Sequence, residues 1–140
     1  MTSNILEWLE KTAMKYPNKI AVRDGIVEIS FSELVERSKK IAALLISKEN
    51  IATRKPIVVY MDKSIDALVA FFGVVYSGNF YVPIDVEMPF SRMEKIFETL
   101  NPQAILTKEN HIQQLNVFSN MYNCYTTDAL EEVGQNEKVL

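Results

Sequence analysis

Between Pro56 and Thr126 the chain alternates short apolar runs with helix-patterned segments, and no other feature restricts the fold as much. The runs are PIVVYM, FYVPI, QAILT and YNCYT. PIVVYM is continuous and rich in β-branched residues, the pattern of a strand covered on both faces. The segment IDALVAFFGVVYS is apolar nearly all round, which predicts a helix enclosed by other elements. Phe90, Met93, Ile96, Phe97 and Leu100 fall on one stripe of the next helix, and HIQQLNVF supplies a weaker one. Such alternation implies an α/β fold: a mostly parallel sheet with right-handed crossovers and helices on both faces.

The first third of the chain reads differently. Asn4 and Glu7 are spaced as a capping box ahead of a stripe formed by Ile5, Leu6, Leu9 and Ala13, and Tyr16-Pro17 ends that helix. In KIAVRDGIVEIS two apolar runs flank Asp24-Gly25, the signature of a tight β-hairpin. Ser30 and Glu33 form a second capping box, opening an amphipathic helix whose stripe is Leu34, Val35, Ile41, Ala42 and Leu45. Further on, Ser64 caps the enclosed helix with Asp66 in its first turn, and Pro89 suits the first position of the following one. The tail after Asp128 reads as a short helix and then a polar end, QNEK. With no linker, repeat or low-complexity tract, residues 1–140 are expected to form one unit that buries roughly two-thirds of its unfolded surface.

Composition excludes several function classes. A net charge of -3 offers no basic face to nucleic acid. The single cysteine cannot form an internal disulfide, and no second thiol or histidine cluster is spaced for a metal. The acidic N-terminus lacks the basic start and apolar centre of a signal peptide, and no stretch approaches the roughly 20 apolar residues of a membrane span. The expectation is a cytoplasmic protein with no membrane partner.

Chemistry-bearing residues are few. A phosphate cradle needs backbone amides converging at a glycine-rich turn before a helix, whereas Gly25, Gly73, Gly78 and Gly134 are scattered. His111, the only histidine, sits in a polar segment and is expected on the solvated surface. Cys124 lies between tyrosines and is expected to be a buried structural thiol. Asp85 and Glu87 precede Pro89 and read as turn and helix-entry charges rather than an acid/base pair. Asp62-Lys63-Ser64 follows a strand at its C-terminal end, where α/β sheets receive ligands, yet a turn and cap is the expected duty. No catalytic, cofactor-binding or metal-binding residue is assigned.

One ordered stretch remains. YSGNFYVPID, Tyr76 to Asp85, resembles the K-A-G-x-A-Y-V-P-[IL]-D core motif of the adenylate-forming enzymes. That family includes amino-acid adenylation domains, acyl-CoA synthetases and D-alanine–carrier-protein ligases. Pro89 and Arg92 continue the likeness, and ISFSEL, Ile29 to Leu34, is similar to the family's L-[TS]-Y-x-E-L motif at the right spacing. Ser77 stands beside Gly78 where alanine is commoner. The likeness runs from KYPNKIAV to the strand near Tyr125. In physical terms the motif is a joint: Gly78 ends a helix in a left-handed turn, Pro83 needs no ladder donor, and Asp85 marks the next turn.

The resemblance implies a parent that activates a carboxylic acid with ATP and Mg2+ as an acyl-adenylate, then passes the acyl group to a phosphopantetheine thiol on a carrier protein or CoA. It also implies that the ATP-gripping loop, the nucleotide-contacting motifs and the lysine of the mobile domain come after residue 140. The chain is accordingly expected to be an N-terminal fragment, inactive alone, whose partners are the rest of the enzyme and, through exposed apolar surface, other copies of itself. KYPNKIAVRDG and YVPID look closest to the amino-acid-activating branch. The alternatives are a stand-alone, non-catalytic α/β scaffold or interaction module, and a fragment of an acyl-CoA synthetase.

Overall fold

The computed structural model describes residues 2–49 and 54–128. Helix α1 (Thr2–Lys15) leads into a hairpin of β1 (Ile20–Asp24) and β2 (Val27–Ser30), and then α2 (Phe31–Glu49). The α1 helix starts ahead of Asn4, and its expected stripe is only partly internal: Leu9 is buried, whereas Ile5 is exposed. The hairpin turns on Gly25-Ile26 with Asp24 paired to Val27, one residue later than the Asp-Gly signal suggests. Gly25 takes φ +65°, the first-position geometry for which such turns select glycine. At the start of α2 the capping box is reciprocal. The Glu33 amide donates to Ser30 Oγ at 3.1 Å, and Glu33 Oε1 accepts from the Ser30 amide at 3.0 Å.

The second part alternates as expected: β3 (Pro56–Tyr60), α3 (Ile65–Tyr76), β4 (Phe80–Ile84), α4 (Phe90–Leu100), β5 (Ala104–Thr107) and β6 (Asn123–Thr126). The four strands form one wholly parallel sheet in the order β4-β3-β5-β6. Because strand side chains alternate, β3 and β5 serve two cores. Ile57, Val59, Ala104 and Leu106 pack with α2 and α3 on one face, while Val58, Tyr60 and Ile105 pack with Met93 and Phe97 of α4 on the other. HIQQLNVF departs from expectation: a 3-10 helix (Glu109–Leu115) precedes a single turn, α5 (Asn116–Ser119). Pro89 sits at the N-cap of α4, one place before the expected position. The short helix and polar end expected after Asp128 lie outside the described residues.

The Tyr76–Asp85 joint forms as its residue order requires. Gly78 adopts φ +86°, and its amide donates to Val75 O while the Asn79 amide donates to Val74 O, closing α3 with the paired bonds of a Schellman end. Buried Asn79 then fastens the turn to the neighbouring chain: its Oδ1 accepts from the Lys55 amide at 2.8 Å, and its Nδ2 donates to Ser77 Oγ at 3.0 Å. β4 is an edge strand, so Pro83 can sit opposite Val59 without depriving an inner ladder of a donor.

Candidate functional site at the C-terminal rim of the sheet

The segments leaving β3, β4 and β5 start from one rim of the parallel sheet. Against the α3 face of that rim lies a cavity of about 810 Å3. Its floor includes Val59 and Ile84, and Leu68 lines one side. Its aromatic wall is Phe71 stacked on Tyr81, with ring centroids 4.4 Å apart and planes at 18°. Asp62, Lys63, Asp85 and Glu87 also line it.

Each polar group on the rim has a local cause. Ser64 caps α3, its Oγ accepting from the Ala67 amide at 3.2 Å. Asp85 Oδ1 accepts from the Glu87 amide at 2.9 Å, so Asp85 closes a turn and is not paired with the Glu87 carboxylate. Asp66, in the first turn of α3, bridges Arg37 of α2 at 2.7 Å and Lys108 after β5 at 2.9 Å. Burial pushes Asp66 up, but those two cations together hold its carboxyl below the usual range. Burial pushes Lys108 down, and Asp66 and Asp128 more than reverse it.

The expectation for His111 is corrected. Only 16% of its side chain is exposed, and both ring nitrogens are engaged: Nε2 lies 2.6 Å from Asp62 Oδ2 and Nδ1 lies 2.6 Å from Gln114 Oε1. The ring stands edge-on to buried Tyr60, whose hydroxyl donates to Val86 O at 2.9 Å. Asp62 is 49 positions away in sequence and is brought near only because β3 and β5 are neighbours. The carboxylate of Asp62 raises the His111 pKa. With neither nitrogen free, the ring is not poised as a base toward a ligand. Cys124 is half-buried rather than fully so, and burial raises its pKa, which disfavours the reactive thiolate.

The described glycines sit in a hairpin turn, inside α3 and at its end, so none opens a helix as a phosphate cradle would require. Among the described residues no group of three or more His, Cys, Asp or Glu could hold a metal ion. The rim thus borders a walled, largely apolar cavity with a polar edge. Tyr60, Lys108 and Gln114 are the members that sequence reasoning missed. Lys108 was within reach, since it directly follows a strand at its C-terminal end.

Comparison with known proteins gives these architectural features a context. A family model described as AMP-binding enzyme matches residues 9–138. The chain is 34% identical over 109 residues to a D-alanine--D-alanyl carrier protein ligase of Listeria monocytogenes serotype 4a (strain HCC23), covering 78% of this chain and 21% of that protein. It is 30% identical over 109 residues to gramicidin S synthase 2 of Brevibacillus brevis, covering 78% of this chain and 2% of that one. The structure of VinN with 3-methylaspartate shares the fold, with a TM-score of 0.82 at 19% identity over 93% of this chain and 36% of VinN. The chain therefore spans about a fifth of the length of the D-alanine ligases it matches.

Proposed function

The chain belongs to the AMP-binding enzyme family, and on that premise we propose that residues 1–140 are the N-terminal subdomain of an ATP-dependent ligase for an amino acid or related carboxylic acid. In the parent reaction a carboxylate oxygen attacks the α-phosphorus of ATP and pyrophosphate leaves. A phosphopantetheine thiol then attacks the acyl carbon of the mixed anhydride and AMP leaves. This segment supplies scaffold: two packed cores and the Tyr76–Asp85 joint. ATP and Mg2+ are assigned to chain outside the described residues.

The observation that carries the reading is the 34% identity to a D-alanine ligase over most of this chain, which favours the amino-acid branch and a carrier-protein acceptor. A cytoplasmic location follows from the need for ATP; among the described residues no helix is long and apolar enough to cross a membrane. The test is ATP–pyrophosphate exchange by the protein that carries this segment together with the chain that follows it, across D-alanine, L-amino acids and fatty acids. Exchange dependent on D-alanine is the expected result. Exchange with fatty acids alone would move the chain to the acyl-CoA synthetases, and none with any acid would favour a non-catalytic scaffold.

The same reading bears on association. Leu68, Phe71 and Tyr81 leave apolar surface open along the cavity, which a second copy of the chain would cover. Sedimentation of the 140-residue chain is expected to show concentration-dependent self-association, and a strictly monomeric sample at high concentration contradicts it.

A further inference from the structure

The strand order creates a crevice. β3 feeds α3 on one face of the sheet, while its neighbour β5 feeds the 3-10 helix and α5, whose Leu115 and Phe118 pack on the other. Where connections from adjacent parallel strands diverge to opposite faces, open sheets receive ligands beyond the C-terminal strand ends. Here that point is bridged. Asp62 comes from the loop after β3, His111 from the 3-10 helix after β5, and their side chains meet at 2.6 Å.

The contacts, as placed, suit a protonated ring. Asp62 Oδ2 and Gln114 Oε1, the partners of the two ring nitrogens, are both acceptors, so both contacts are satisfied only by an imidazolium with an N–H on each nitrogen. A neutral ring has one N–H. It must drop a contact or have Gln114 reverse its amide, and where Nε2–H still reaches the Asp62 carboxylate the bond no longer joins two opposite charges. The surrounding charges do not take over. Lys108 faces Asp66 and Asp128, and Glu109 Oε1 lies 3.4 Å from Thr126 Oγ1. Lys63, beside Asp62, and Asp85, across the rim near Tyr60, do not figure among the influences on the ring, and the Tyr60 hydroxyl is engaged with Val86 O.

We propose that the His111–Asp62 pair is a pH-sensitive clasp over the β3–β5 crevice, held as an ion pair while the ring is protonated and weakened when it loses its proton. The sign follows from the raised pKa of the folded state. The ion-pair contribution is fully present below the ordinary histidine range and is lost as pH rises through the folded-state pKa. Loss of the proton leaves the Asp62 charge unbalanced at the cavity wall, so the crevice loosens and its border becomes more negative in one step.

Because His111 is the only histidine, its ring protons report without ambiguity in an NMR titration. The full chain is titrated as wild type, Asp62→Asn and His111→Gln, with amide-exchange protection, corrected for intrinsic rates, measured over residues 61–64 and 108–115. A wild-type pKa above the ordinary histidine value, lowered in Asp62→Asn, is expected. So is a several-fold loss of protection in both loops through that titration, absent in His111→Gln. Equal pKa values in wild type and Asp62→Asn would overturn the proposal. So would protection that is unchanged through the wild-type titration, or a pH step that persists in His111→Gln.

Discussion

Phe97→Ala is expected to cost about 3–5 kcal/mol, the loss that follows deletion of a buried aromatic ring. Phe97 is 1% exposed and is the hub of the core on the α4 face. Its ring meets Phe118 at 4.3 Å and Tyr122 at 5.6 Å between centroids, both edge-to-face. The Tyr122 hydroxyl also donates to the Phe97 carbonyl at 3.2 Å, which pins the β6 side of the sheet to α4. Truncation leaves a cavity that these rings cannot fill without losing their own geometry. Set against a total stability of about 5–15 kcal/mol, the loss brings the chain close to unfolding. Urea denaturation at constant m-value measures it. A cost below about 1 kcal/mol would contradict the placement of Phe97 at the centre of that core.

Gly73→Val is expected to destabilise by about 1–3 kcal/mol, through overpacking rather than through any loss of contact. A Cβ at Gly73 would lie 2.8 Å from Ile41 Cγ2, 3.0 Å from Ile41 Cβ and 3.2 Å from Ser38 O. The Ile41 Cβ and the Ser38 carbonyl cannot yield unless α2 moves as a whole. Ser38 is itself buried and donates its hydroxyl to Val69 O at 3.3 Å, which ties the two helices together one turn before the glycine. If α3 were open here, valine would gain a few tenths of a kcal/mol over glycine from helix propensity. Thermal unfolding separates the cases: Tm falls by several degrees if the helices approach this closely, and a neutral or raised Tm contradicts the approach.

The contrast between these sites and the capping boxes shows what could be read from the sequence. Ser30 and Glu33 satisfy each other within one turn of helix, so spacing alone reveals them. The Gly78 turn is also local, and the fold class was legible in the alternation of short apolar runs with helix-patterned segments. The close approach at Gly73 was hidden, since it depends on Ile41, 32 positions away. His111 was misplaced for the same reason: its partner Asp62 becomes a neighbour only once β5 lies beside β3. The segment HIQQLNVF carried enough apolar residues to suggest a helix, but it had to turn tightly to return the chain to β6, and it did so mostly as a 3-10 helix. Residues that act through neighbours in sequence were legible, and those that act across the sheet were not.

The central claim is that this segment is scaffold for an adenylating ligase and that the groups gripping the nucleotide lie in other parts of the protein. Calorimetric titration of the 140-residue chain with MgATP tests it most directly. The account predicts no saturable heat of binding; a saturable isotherm with micromolar affinity would contradict it.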